Sequence, residues 1–213
     1  MSAEEGEGLE QHLFIDFEFS MPEHDKGRNS HFPEIIEAGF VFVVNEEVVD
    51  TFSSFVKPIV NPLLTNRCKS FLQITQKDVD SGVPLEQVAE IYHSYINQAA
   101  TTVVTWGNMD VPIMRRNFLK QELPYKRPHK ELDLAEAYRR FYGDRNNTAL
   151  RKAIVEYGKD GTGKNHRALD DALTTFEVFK QFEKDRSYLN AAPKAALAEK
   201  FDVNSMMKKL GFG

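Results

Sequence analysis

Two acids stand two residues apart in an otherwise apolar run, Phe14-Ile15-Asp16-Phe17-Glu18-Phe19. In a strand, alternation sends Asp16 and Glu18 from one face, roughly 6–7 Å apart. Burying two anions among aromatic rings is costly unless a cation meets them. A divalent ion removes that cost, and carboxylate oxygens suit Mg²⁺ and Mn²⁺. An edge strand with a wet polar face accounts for the same residues without any ion.

Two later segments add acids and a proton carrier. In Thr105-Trp106-Gly107-Asn108-Met109-Asp110 a buried strand ends, glycine turns the chain and Asp110 stands at the start of a helix. Asp at such a position is an ordinary cap, worth about 1 kcal/mol. Trp106 reads as core, with ligand stacking left open by its place at a strand end. Asn165-His166-Arg167-Ala168-Leu169-Asp170-Asp171 follows a glycine-rich loop and opens an amphipathic helix. Neither Asp170 nor Asp171 falls on its apolar stripe, so helical geometry does not choose between them. Either acid can serve the helix dipole, worth ~0.3–1 kcal/mol. His166, ahead of the helix, is free to act as a general base.

These residues need a scaffold. The pattern predicts strands over 12–19, 34–44 and 47–57, the last two joined by a turn at Asn45-Glu46, and a buried strand over 101–106. Leu85, Val88, Ile91, Tyr92, Tyr95 and Ile96 recur at helical spacing within 84–98. Further helices are expected over 111–121, 132–142, 148–157 and 167–182, with a glycine-rich loop at 158–165. Early strands, later helices and a strand between helices predict a three-layer α/β or α+β domain. Residues 1–10 carry four glutamates and no basic residue, and are expected to be a disordered tail. The folded domain is expected over 11–186, and 187–213 as a tail with short helices.

Composition narrows the classes. The chain has 213 residues, 41% apolar, with 16 Phe, which excludes a disordered or collagen-like chain. Its longest apolar run, 38–44, is far below the ~20 residues of a membrane span. The acidic start lacks the apolar core of a secretory signal. Cys68 is the single cysteine, which excludes an intramolecular disulfide. The expectation is a soluble, cytoplasmic protein that makes no membrane contact. Net charge is −5, yet residues 115–152 hold 11 Lys and Arg against 5 Asp and Glu. Such a segment is either a phosphate-binding face or a set of solvated helix faces.

The order of these signals carries a resemblance. D-x-E on the first strand, Asp110 after a later strand, and H-x-A-x-x-D opening the last helix resemble the DEDDh group of 3′-to-5′ exonucleases. That group is the DnaQ-like branch of the ribonuclease H-like fold, which implies a mixed central sheet flanked by helices. The family spacing of five from His to Asp selects Asp171 over Asp170. The tyrosine subclass would place Tyr where this chain has Arg167. FIDFEF, FPEIIEAG, ITQKDVDSG and HRALDDA are similar to Eri-type exonucleases, which trim RNA. PEIIEAG is also similar to the bacterial KapD group, sporulation inhibitors with an exonuclease domain. Met109 departs from the Trp that Eri-type enzymes often place before the third acid.

The resemblance implies that Asp16, Glu18, Asp110 and Asp171 hold two divalent cations, Mg²⁺ or Mn²⁺. Uncompensated, a like-charge pair ~4 Å apart costs about 4 kcal/mol at an effective dielectric of 20. One ion would orient a water, the other would stabilise the leaving 3′-oxygen, and His166 would take the water's proton. The implied partner is a single-stranded RNA or DNA 3′ end, with a nucleoside 5′-monophosphate as product. Phe19, Ser20, Ile74 and Met109 are the implied contacts to the terminal nucleotide. Arg115, Arg116, Arg139 and Arg140 are candidates to track phosphates farther from the cut. Two other readings stay in view. One is a partner-binding regulatory module, as the KapD likeness suggests. The other is a 3′-to-5′ exodeoxyribonuclease acting in trans in proofreading or repair.

Overall fold

Nearly every side chain of the first strand is buried, and that strand is the centre of the sheet. The computed structural model describes residues 10–24, 31–164 and 166–191. The sheet order is β3-β2-β1-β4-β5, with β1 (Gln11–Phe19), β2 (Ile35–Val44), β3 (Glu47–Phe55), β4 (Thr101–Thr105) and β5 (Lys130–Asp133). β1 to β3 form an antiparallel meander, and β4 and β5 add in parallel. This is the mixed sheet flanked by helices that the resemblance implies.

Alternation along β1 sorts its two faces. Leu13, Ile15 and Phe17 join a core with Phe40, Phe42 and Val103. That core is closed by α3 (Leu85–Ile96) through Leu85, Val88, Tyr92 and Tyr95, and by α4 (Asp110–Lys120) through Val111, Met114 and Phe118. Phe14 points the other way, and its ring lies 5.1 Å from that of Phe176 on α7 (Ala168–Ala191). Gly39 lets α7 come this close. A Cβ there would stand 2.2 Å from the Ala168 backbone. Asp16 pairs across the sheet with Gly39, and Glu18 with Glu37, so the acids lie beside the start of α7.

Three differences from the sequence reading have physical causes. The helix expected from 132 begins at Leu134 as α5 (Leu134–Tyr142), because 130–133 form β5. Three of those four residues are charged, and the strand exists through its pairing with β4. Two short helices not marked by apolar spacing, α1 (Asn66–Leu72) and α2 (Gln76–Asp80), lie between β3 and α3. Thr65 caps the first, and Thr75 with Asp78 forms a capping box on the second. The last helix continues past 182 to Ala191.

The helix expected over 148–157 is α6 (Leu150–Glu156). Two compact units meet in sequence at Val178 and Phe179. The first holds the sheet; among the described residues, the second holds the end of α7. The expected tails at 1–10 and 187–213 lie outside the described residues except for Glu10 and the helical 187–191. No helix among the described residues is long and apolar enough to cross a membrane.

Candidate active site

The sheet delivers four acids and one histidine to a single cleft of about 420 Å³. Asp16 and Glu18 come from β1, Asp110 from the first turn of α4, Asp171 from the first turn of α7, and His166 from just ahead of it. Phe17, Phe19, Trp106, Ala149, Leu150 and Arg151 complete the lining.

Asp110 does not cap its helix. Met109 occupies the N-cap position and makes no side-chain bond there. Asp110 Oδ1 instead accepts from the backbone N–H of Phe17 at 3.1 Å. The two candidate acids of α7 separate in the same way. Asp170 Oδ2 accepts from the N–H of Lys164 at 2.9 Å and so fastens the glycine-rich loop. Asp171 Oδ2 accepts from the N–H of His166 at 2.9 Å and lines the cleft. His166 has a left-handed backbone, φ 60°, and its ring lies 4.6 Å from that of Phe71. Its Nδ1 is 3.8 Å from Glu18 Oε1.

Burial and mutual repulsion raise the carboxyls of this cleft above their ordinary values. Burial pushes the Glu18 carboxyl up to about 8, with Glu37 and Asp171 adding to the effect. Burial raises Asp110 to about 7 against the hydrogen bond from Phe17. Asp16 is raised well above its ordinary value by burial and then by Asp110, Glu18 and Asp171. Asp171 is raised by burial, opposed by the bond from His166 and by Arg151. Carboxylates held this way bind a cation in place of a proton. One ligand atom each from Glu18, His166 and Asp171 lie within 4.8 Å of one another. The donor set therefore fits a hard divalent ion.

The other expected contacts divide. Phe19 lines the cleft. Ser20 does not: it is buried, and its hydroxyl accepts from the N–H of Glu34 at 3.0 Å and bonds the His31 ring at 3.1 Å. Ile74 packs among Ile36, Cys68 and Leu72, away from the lining. Met109 is 57% exposed beside Asp110. None of Arg115, Arg116, Arg139 and Arg140 lines the cleft. Arg115 pairs with Glu131, Arg139 and Arg140 with Glu136, and Arg116 lies over the Phe32 ring. Arg151, in the same basic segment, is at the cleft, and charge count alone did not distinguish it. Arg167 turns away to a two-pronged bond with Glu37, at 3.2 and 2.8 Å.

Residues 13–179 match the RNase T family, described as exonuclease. The chain belongs to that exonuclease family. The match spans the four acids and the histidine of the cleft. The chain is 44% identical over 197 residues to the "Probable 3′-5′ exonuclease KapD" of Bacillus subtilis (strain 168), covering 92% of this chain and 96% of that one. It is 28% identical over 192 residues to the "ERI1 exoribonuclease 2" of Xenopus laevis, covering 78% of this chain but 27% of that longer protein. Among solved structures, the nuclease domain of 3′hExo, a DEDDh family member bound to rAMP, superposes with a TM-score of 0.75. Identity there is 25%, over 84% of this chain and 94% of that domain. The family is thus that of the DEDDh-type 3′-5′ exonucleases, and the fold is the ribonuclease H-like one.

Proposed function

We propose that this exonuclease is metal-dependent, that it trims single-stranded RNA from the 3′ end in preference to DNA, and that it releases nucleoside 5′-monophosphates. One observation carries the reading: Glu18, His166 and Asp171 present ligand atoms within 4.8 Å of one another in a cleft that Asp16 and Asp110 also line. The RNA preference is supported by the rAMP held by the 3′hExo domain and by the exoribonuclease name of the ERI1 relative.

Asp16, Glu18, Asp110 and Asp171 would hold the ions, Mg²⁺ or Mn²⁺, in a set of two. When bound, such ions supply Lewis-acid stabilisation of negative charge and acidify water. The chain's own groups do the rest. Phe19, Trp106 and Leu150 form apolar walls that seat the terminal base. His166 removes the proton of the attacking water, its ring backed by Phe71 and its main chain tied to Asp171. Asp110 stays aligned with the other acids through Phe17.

The test uses 5′-labelled single-stranded RNA and DNA of one sequence, with Mg²⁺, with Mn²⁺ and with chelator. Stepwise shortening from the 3′ end, faster on RNA and abolished by chelator, with nucleoside 5′-monophosphate identified by chromatography, is expected. No shortening with either metal overturns the activity; faster loss of DNA overturns the RNA preference.

A further inference from the structure

The cleft has to admit a phosphodiester anion past four carboxylates. Among the described residues, Arg151 is the one Lys or Arg in its lining. The other arginines of the basic segment that the sequence singled out are paired with Glu131 or Glu136, or stacked on Phe32. Arg151 differs. Its nearest carboxylate oxygen, Asp171 Oδ1, is 3.6 Å away, beyond a charge-assisted hydrogen bond.

The hydrogen bonds that hold Arg151 go to neutral carbonyls, with Asp171 adding only a longer-range attraction. Its Nη2 donates to the carbonyl of Thr162 at 2.8 Å. Gly161 makes room for the group, since a Cβ there would stand 2.0 Å from Nη1. The glycine-rich loop thus shapes a seat for a guanidinium and leaves its charge uncancelled by a bonded carboxylate. A guanidinium held by carbonyls beside an acidic centre is suited to a second anion with paired oxygens, such as a phosphate.

We propose that Arg151 is a substrate-binding residue of this exonuclease, donating to a phosphate of the nucleic acid's 3′-terminal segment. The inference rests on the nuclease reading of the same cleft, and its test is independent of turnover. Full-length protein carrying Asp16→Asn is titrated with a 5′-fluorescein-labelled single-stranded RNA 12-mer at several salt concentrations. One phosphate contact to a single strand adds about 0.7 to the slope of log affinity against log salt. Arg151→Met and Arg151→Gln are expected to weaken binding about tenfold and to lose about 0.7 of that slope. Arg151→Lys, which keeps the charge, is expected to retain the slope.

Gln retains an amide donor for the loop carbonyl, so the Gln and Lys pair decides the matter even where Met fails to fold. An unchanged slope in the charge-free variants overturns the proposal. So does a slope lost equally in all three, which marks a residue that only holds the loop. Cleavage of the same RNA by protein with Asp16 intact is scored separately, so failure of the nuclease reading is visible by itself.

Discussion

Asp110 Oδ1 accepts a hydrogen bond at 3.1 Å from the backbone N–H of Phe17, 93 residues earlier in the chain. Phe17 lies between Asp16 and Glu18, so the third acid is fastened to the strand that carries the first two. The bond fills a gap in the sheet. β4 pairs with β1 only as far as Phe14, and the side chain of Asp110 takes over where the ladder stops.

Asp110→Asn retains an oxygen for the Phe17 N–H and removes a charge from a crowded site. Stability is expected to stay within about 1 kcal/mol of the parent, while turnover falls by ~10²-fold or more. Asp110→Ala leaves a buried N–H without a partner and is expected to cost a further ~1–3 kcal/mol. Chemical denaturation and steady-state kinetics on both variants check the pair. Equal stability of Asn and Ala variants would contradict the bond's role.

Stability of chelator-treated protein is expected to fall as pH rises. Asp110 and Glu18 bind protons more readily folded than unfolded, since burial lifts them to about 7 and about 8. Their contribution is present in full below the unfolded carboxyl range near ~4 and is lost as pH climbs through about 7 and then about 8. Saturating Mg²⁺ or Mn²⁺ is expected to restore the melting temperature, with a larger gain at about pH 8.5 than at about pH 6. Thermal melts with and without metal across that range read both trends, and a metal gain independent of pH would contradict them.

Gly39→Ala places a methyl group against the backbone of Ala168, at a spacing of 2.2 Å that only movement of α7 relieves. Backbone cannot yield as a side-chain tip can. A loss of about 3 kcal/mol is expected, or roughly 6–12 °C in melting temperature. Activity should fall with it, because α7 carries Asp171 and orients His166. A variant that melts like the parent would show that the helix has slack here.

Arg167, just ahead of the same helix, ties it to Glu37 on β2 and also lies 5.0 Å over the Phe55 ring. Glu37→Leu alone leaves a partly buried guanidinium unpaired, and a cost of about 3 kcal/mol is expected. Joining it to Arg167→Leu should recover at least ~1 kcal/mol of that loss. A double-mutant cycle by urea denaturation measures the coupling. Additive effects would mean the pair contributes packing alone.

How much of this was legible beforehand varies from element to element. β1 and α3 were readable because burial imposes its own period on apolar residues, two in a strand and 3.6 in a helix. β5 was not, because Lys130, Glu131 and Asp133 contribute no such pattern and the strand owes its form to a neighbour. Trp106 was open between core and site. It proves to line the cleft while its Nε1 bonds the carbonyl of Thr148 at 3.1 Å.

Local sequence determined which side chains are acidic, which segments alternate or spiral, and that Asp16 and Glu18 share a face of one strand. Those properties depend on residues a few positions apart. Helical periodicity left the Asp170-Asp171 pair unresolved until the family spacing pointed to Asp171, and tertiary structure gives each acid a different N–H to bind and places Asp171 at the cleft. It also decided which arginine lines the cleft, by bonding others to carboxylates while Arg151 donates to a loop carbonyl and keeps Asp171 at the longer distance of 3.6 Å. Charge is a property of a residue, but its cancellation depends on what the fold sets beside it.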